Sequence, residues 1–324
     1  MQQYVKKEID YLKAFAILLV VFYHAIYEAK LFLGNMTFIC LNIGLEHVHV
    51  PLFILIAGFL CHKQDLRSFY IKKIKRILIP FIFMSCLKLL YNNLISAEHI
   101  HEGNIWNQIF DAFVCGGTYW FCYCLLVIFA LAPLFWDNRK RIWALLAVLS
   151  AANIVLRWTD VSLTNVLQIN QVVNQMPFFL MGMLIRSYDL TGLVKKKKYC
   201  QYIILAASIC LAVVCGYVRF YLDFYLLWLT DVFFGLSVMY MLYFIAVRIK
   251  GRFAGAVLGT MGKYSLQIMF LDSFFRITFY YLVYMFAERG IAAALTVTVL
   301  DITVSCLVCI AARKIPVLSK LMGL

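Results

Sequence analysis

The sequence is poor in charge. Only 14% of its 324 residues are Asp, Glu, Lys or Arg, and the acidic ones number just 16. A soluble domain keeps roughly a quarter of its residues charged so that its surface stays hydrated. Proline is scarce as well, with 5 in the chain, and no long Ser-, Gly- or Pro-rich stretch interrupts it. That pattern predicts one domain over residues 1–324, with no flexible linker and no appended soluble domain. The missing charge is replaced by apolar residues, at 64% of the chain and a mean hydropathy of +0.86. An aqueous globule is excluded, and lipid is the solvent these values point to.

Apolar runs recur along the chain at the length that crosses a bilayer, about 20 residues. Ten are expected, at residues 12–33, 45–62, 77–95, 118–136, 142–158, 172–187, 200–218, 222–247, 261–286 and 291–312. The fold class that follows is an all-α polytopic transmembrane helical bundle of about ten helices. The first run follows Lys6 and Lys7 as a signal peptide would, but no small-residue cleavage site closes it, so a retained anchor is expected. Cys306 and Cys309 have redox or metal spacing, yet they lie within an apolar run with no second pair, and no metal is expected.

The net charge of +14 would suit a nucleic-acid partner if the cations formed one patch. Instead they alternate with the spans. Lys6–Lys7, Lys63 to Arg76, Arg139–Arg141, Arg186 to Lys198, Arg248–Arg252 and Arg313–Lys320 fall on every second loop. With Lys13 they hold 23 of the 30 Lys and Arg residues. Basic loops stay in the cytoplasm, so both termini are expected there, and nucleic acid is not an expected partner.

Chemistry in such a chain must come from polar groups within the bilayer, where they are costly and face the bundle interior. Lys13 and His24 lie eleven residues apart on the first span, about 16 Å along a helix. Lys13 would mark the cytoplasmic edge, and His24 would sit near mid-membrane. Imidazole titrates near neutrality, so His24 suits a proton acceptor; a neutral histidine bonding two helices fits the same spacing. His49, with Pro51 two residues on, opens the second span near the outer edge. Lys72, Lys73, Lys75 and Arg76 form a dense cationic segment that either holds topology, attracting anionic membrane lipids, or receives a phosphate-bearing donor. Asp272 and Arg276 stand at i,i+4 and are expected to pair.

The order of these motifs resembles the bacterial membrane-bound acyltransferase-3 family, particularly its short fucose 4-O-acetylase-like members. Lys13 to His24 matches a basic-x10-His signature in which Arg is usual. His49-Val-Pro-Leu-Phe53 with Ala57-Gly58-Phe59 is similar to its next segment, and Lys73-Ile-Lys-Arg76 to its cytoplasmic basic element. Tyr119-Trp120-Phe121, Met176-Pro177-Phe178-Phe179 with Gly182, and Gly262-Lys263-Tyr264-Ser265 resemble later segments in the right order. Departures are Lys13 for Arg, Ala57 for Ser, and Asp272 where many relatives have histidine.

The resemblance implies acyl transfer in a bacterial inner membrane, usually of acetyl from cytoplasmic acetyl-CoA to a hydroxyl of a glycan or lipid-linked saccharide. His24 would be the general base or an acyl-carrying relay, with His49 helping beside the acceptor. Lys13, Lys72, Lys73, Lys75 and Arg76 would hold the donor, and Tyr119 and Trp120 would offer an aromatic surface to sugar or donor. The rival expectation is a transporter or exporter, with Lys88, Asp231, Asp272 and Arg276 along its pathway.

Overall fold

The computed structural model describes residues 2–31, 36–94, 104–136, 138–221, 227–288 and 290–324. Fifteen α-helices follow in order among them: α1 (Gln2–Glu28), α2 (Met36–Leu60), α3 (Leu66–Lys73), α4 (Ile79–Leu94), α5 (Ile105–Val114), α6 (Trp120–Leu131), α7 (Arg139–Trp158), α8 (Ile169–Ser187), α9 (Leu190–Lys196), α10 (Lys198–Tyr221), α11 (Leu227–Ala246), α12 (Arg252–Lys263), α13 (Ser265–Tyr284), α14 (Ile291–Ala312) and α15 (Pro316–Leu321). No strand occurs among the described residues. The chain is an all-α polytopic bundle.

Among the described residues, nine helical stretches are long and apolar enough to cross a membrane. They overlap nine of the ten expected runs, with four of them starting well before the expected residue, at Lys6, Thr37, Leu66 and Ile105; residues 32–33, 95 and 222–226 at the ends of three runs lie outside the described residues. The tenth run, 172–187, falls in α8, whose first turns carry Asn170, Gln171, Asn174 and Gln175 and so lower its hydropathy. Alternation of the basic loops still requires α8 to cross. Without it, Arg139–Arg141 and Arg186 to Lys198 would fall on opposite sides of the bilayer. Protein covers much of the rest of α8, where Val172, Met176, Pro177, Phe178, Phe179, Leu180, Gly182, Met183 and Leu184 are buried, while its four polar residues stay partly exposed.

Three glycines set how closely the helices approach. A Cβ built on Gly58 of α2 would lie 1.9 Å from the Phe179 carbonyl oxygen of α8, and one on Gly182 of α8 would lie 2.1 Å from the Leu55 carbonyl oxygen of α2. The two backbones therefore touch at a reciprocal crossing, as small residues allow between membrane helices. Gly262 does the same for α12 on α1, where a Cβ would meet the Asp10 carbonyl oxygen at 1.8 Å. These are the glycines of three motif segments, so those motifs encode packing.

Between α3 and α4 the chain widens into a π-helical segment, Ile74–Leu78. Pro80 follows it and has no N–H to donate one turn back, which favours such a local change in helical register. Asp65 caps α3 by accepting from the Ser68 amide at 2.8 Å. That hydrogen bond holds its carboxyl below the usual Asp value. The capped helix carries Lys72 and Lys73 in its last turn and leads into Lys75 and Arg76, so four cations fall within five residues.

Candidate functional site

A cavity of about 290 Å³ opens between α1, α2, α6, α8 and α13. His24 and Tyr23 come from α1, Glu46, His49 and Phe53 from α2, and Trp120 and Phe121 from α6, with Thr118 and Tyr119 just before it. Gln171 and Gln175 come from α8, and Asp272, Ser273 and Arg276 from α13. Four of the expected site residues (His24, His49, Tyr119 and Trp120) therefore share one chamber. α1 runs well past Lys13 toward the N terminus, so His24 lies one turn before the helix end at Glu28. That places it toward the outer end of the span rather than at its midpoint, because Lys13 is not where the helix begins.

His24 Nδ1 is 2.7 Å from Asp272 Oδ2, a contact between residues 248 apart in sequence. The aspartate is 1% exposed. An ionised carboxylate only accepts, so the histidine must donate Nδ1–H, which leaves Nε2 with the lone pair. Arg276 donates from Nη1 to the same oxygen at 3.3 Å, and its Nε lies 3.3 Å from Glu28 Oε2. The expected Asp272–Arg276 pair is present, but it is one side of a larger group. Lys88 of α4 anchors the next residue by donating to the Ser273 carbonyl at 2.7 Å.

His49 is held differently. Its Nδ1 donates to the Leu45 carbonyl at 2.6 Å, one turn back on its own helix, and its ring lies 4.7 Å from that of Tyr23. Its Nε2 is then also the ring's acceptor. Tyr119 is buried, with its hydroxyl 2.7 Å from Ser273 Oγ and donating to the Phe270 carbonyl at 3.2 Å. Its ring packs edge-on against Phe270. The Tyr119 hydroxyl thus ties the start of α6 to α13, while Trp120 stays partly exposed beside the chamber.

The cationic group lies at the other end of the bundle. Lys13 pairs with Asp10 at 3.5 Å, and Lys13, Lys73 and Arg76 are near enough to feel one another's charge. Lys72, Lys75 and Arg76 are exposed. Lys73 is partly buried, its ammonium 3.5 Å from the centre of the Phe129 ring and 5.2 Å from that of Phe69. Of the four clustered cations, Lys73 is the one already engaged by aromatic faces. Near it, Cys61 accepts from the Trp136 indole, and burial pushes its thiol up.

Residues 6–312 match the model of a family described as an acyltransferase domain. The chain belongs to the acyltransferase-3 family. No curated protein and no solved structure matches it. Membership extends over nearly the whole bundle, so the chamber and the cationic segment both lie inside the acyltransferase domain. The chain is a multi-pass membrane protein of an acyl-transferring family.

Local sequence did not join Asp272 to His24, because nothing near either residue records a partner on a distant helix. The expense of a carboxylate in an apolar span singles out Asp272 in the sequence, and the same signal points to Asp301 of α14, which the sequence reading does not name. Asp231, set with Lys88 and Asp272 on one expected pathway, belongs to a separate cluster. Its carboxylate meets Arg219 Nε at 3.2 Å, His47 Nε2 at 3.4 Å and Arg157 Nη2 at 3.7 Å. Those partners come from α10, α2 and α7, so this carboxylate holds four helices together.

Proposed function

We propose that the protein is an O-acyltransferase of a bacterial inner membrane, moving acetyl from cytoplasmic acetyl-CoA to a hydroxyl of a cell-surface glycan or lipid-linked saccharide. The observation that carries this reading is the hydrogen bond from His24 Nδ1–H to the buried Asp272 carboxylate, facing a chamber in an acyltransferase domain. A histidine so held has a fixed tautomer, and its Nε2 is the group that accepts a proton.

In the proposed reaction the acceptor hydroxyl gives its proton to His24 Nε2 while its oxygen attacks the thioester carbonyl carbon. The tetrahedral intermediate collapses as the carbon–sulfur bond breaks, and the imidazolium returns the proton to the departing thiolate. Products are the acyl ester and free coenzyme A. The ionised Asp272 favours the transient imidazolium by charge and by hydrogen bond. His49, neutral with its own Nε2 acceptor, assists at the acceptor side, and Trp120 offers an apolar face to a sugar ring. Lys13, Lys72, Lys75 and Arg76 would meet the donor's phosphates, with Lys73 contributing charge from its seat on Phe129.

The test is His24→Ala in membranes supplied with labelled acetyl-CoA and the glycan fraction of the cell. Label transfer is expected to vanish while the protein remains inserted. Undiminished transfer would remove His24 from the mechanism.

A further inference from the structure

Behind Asp272 lies a second carboxyl that the reaction above does not use. Asp301 sits in the middle of α14, which packs against both α1 and α13, and it is fully buried. Ser305 donates to its Oδ1 at 3.1 Å. The carboxyls of Asp301 and Asp272 lie within hydrogen-bonding reach of each other. Asp272 Oδ2 is already occupied by His24 and Arg276. The remaining oxygens, Asp272 Oδ1 and Asp301 Oδ2, are both buried, and neither finds an N–H or O–H donor among the described residues.

Two ionised carboxylates cannot satisfy one another, since each only accepts, and their like charges repel strongly in a low-dielectric interior. One proton between them removes both problems. The charge balance agrees. Asp272 is balanced by Arg276, and Glu28, also bound to Arg276, is balanced by Lys88, which lies within electrostatic reach of both acids. An ionised Asp301 would leave this group with one uncompensated negative charge inside the membrane, beside a neutral His24.

We propose that Asp301 is a positioning residue that, as a carboxylic acid, donates its O–H to Asp272 and thereby fixes the carboxylate that orients His24. The donated hydrogen bond engages Asp272 Oδ1, so the carboxylate cannot rotate to exchange the oxygen that His24 uses. Asp272 then holds a single orientation through three donors: the imidazole, the guanidinium and the acid. The catalytic part of this inference rests on the proposed role of His24; the shared proton does not.

Two measurements test it separately. Infrared difference spectra between wild-type and Asp301→Asn protein in lipid should show a protonated-carboxyl stretch present only in the wild type. An identical carboxyl region in the two proteins would overturn the shared proton, whether or not the protein transfers acyl groups. In the transfer assay Asp301→Asn should stay within about threefold of wild type, because its amide N–H donates to Asp272 and its carbonyl accepts from Ser305. Asp301→Ala should lower kcat by about tenfold or more, the loss of one hydrogen bond to a charged group, with the donor KM unchanged. Equal loss in both variants would mean that Asp301 acts through negative charge, which would overturn the assignment. A wild-type protein with the infrared band and no acyl transfer would refute the His24 reading alone.

Discussion

Replacing Asp272 by Asn changes one atom and tests the central contact directly. The carboxylate now accepts His24 Nδ1–H at 2.7 Å and Arg276 at 3.3 Å on the same oxygen. An asparagine that turns its amide nitrogen toward His24 forces Nδ1 to accept, which moves the ring hydrogen to Nε2 and removes the base. One that keeps its oxygen toward His24 preserves the tautomer but forfeits the charge that stabilises the imidazolium. Both outcomes cost rate, and a wrong tautomer costs more. The loss is expected at roughly 10²- to 10⁴-fold in kcat, about 3 to 5 kcal/mol of transition-state stabilisation. Arg276 keeps Glu28 at 3.3 Å, so the variant does not strand a buried cation and should still insert. The assay is release of free coenzyme A and label transfer in proteoliposomes, with donor KM measured alongside. A variant within threefold of wild type would refute the idea that Asp272 orients or stabilises His24.

Other expectations follow from the packing and the cationic end. Gly182→Ala sets a methyl 2.1 Å from a backbone oxygen, so α2 and α8 must part; melting in detergent should fall by about 1–3 kcal/mol, and an unchanged Tm would refute the close crossing. Arg76→Ala with Lys75→Ala should raise donor KM several-fold and leave the acceptor KM alone, whereas Lys73→Met should also loosen the contact with Phe129; equal effects on both substrates would argue against a donor dock. The Asp65 cap supports α3 while ionised. Because its folded pKa is lowered, that support is present above the ordinary value near 4 and fades as pH falls through the lower folded value. Exchange of the Ser68 amide should accelerate over that interval in wild type and show no such step in Asp65→Asn.

Much of this architecture could be read from hydropathy, since lipid imposes spanning length and the basic loops impose direction. α8 is the hardest helix to read because Asn170, Gln171, Asn174 and Gln175 are polar at its start, and only the fold shows that Gln171 and Gln175 line the chamber. His24 and Lys13 were legible from their spacing on a single helix. The partner of His24 was not, because α1 and α13 meet only in three dimensions. Asp301 carries no motif at all. Its significance depends on which oxygens of a neighbouring carboxyl are already taken, and no sequence window records that.

α1 is one unbroken helix from Gln2 to Glu28, and it carries both Lys13 and His24. It therefore works as a ruler as well as a wall of the chamber. Inserting one residue between the two would turn the imidazole about 100° away from Asp272, because each residue adds that angle. Inserting seven would nearly restore its direction but carry it about 10 Å along the axis, out of reach of Asp272. The ten residues between them thus fix a bearing and a depth together, and a length change in this stretch disconnects the base without touching any residue of the site.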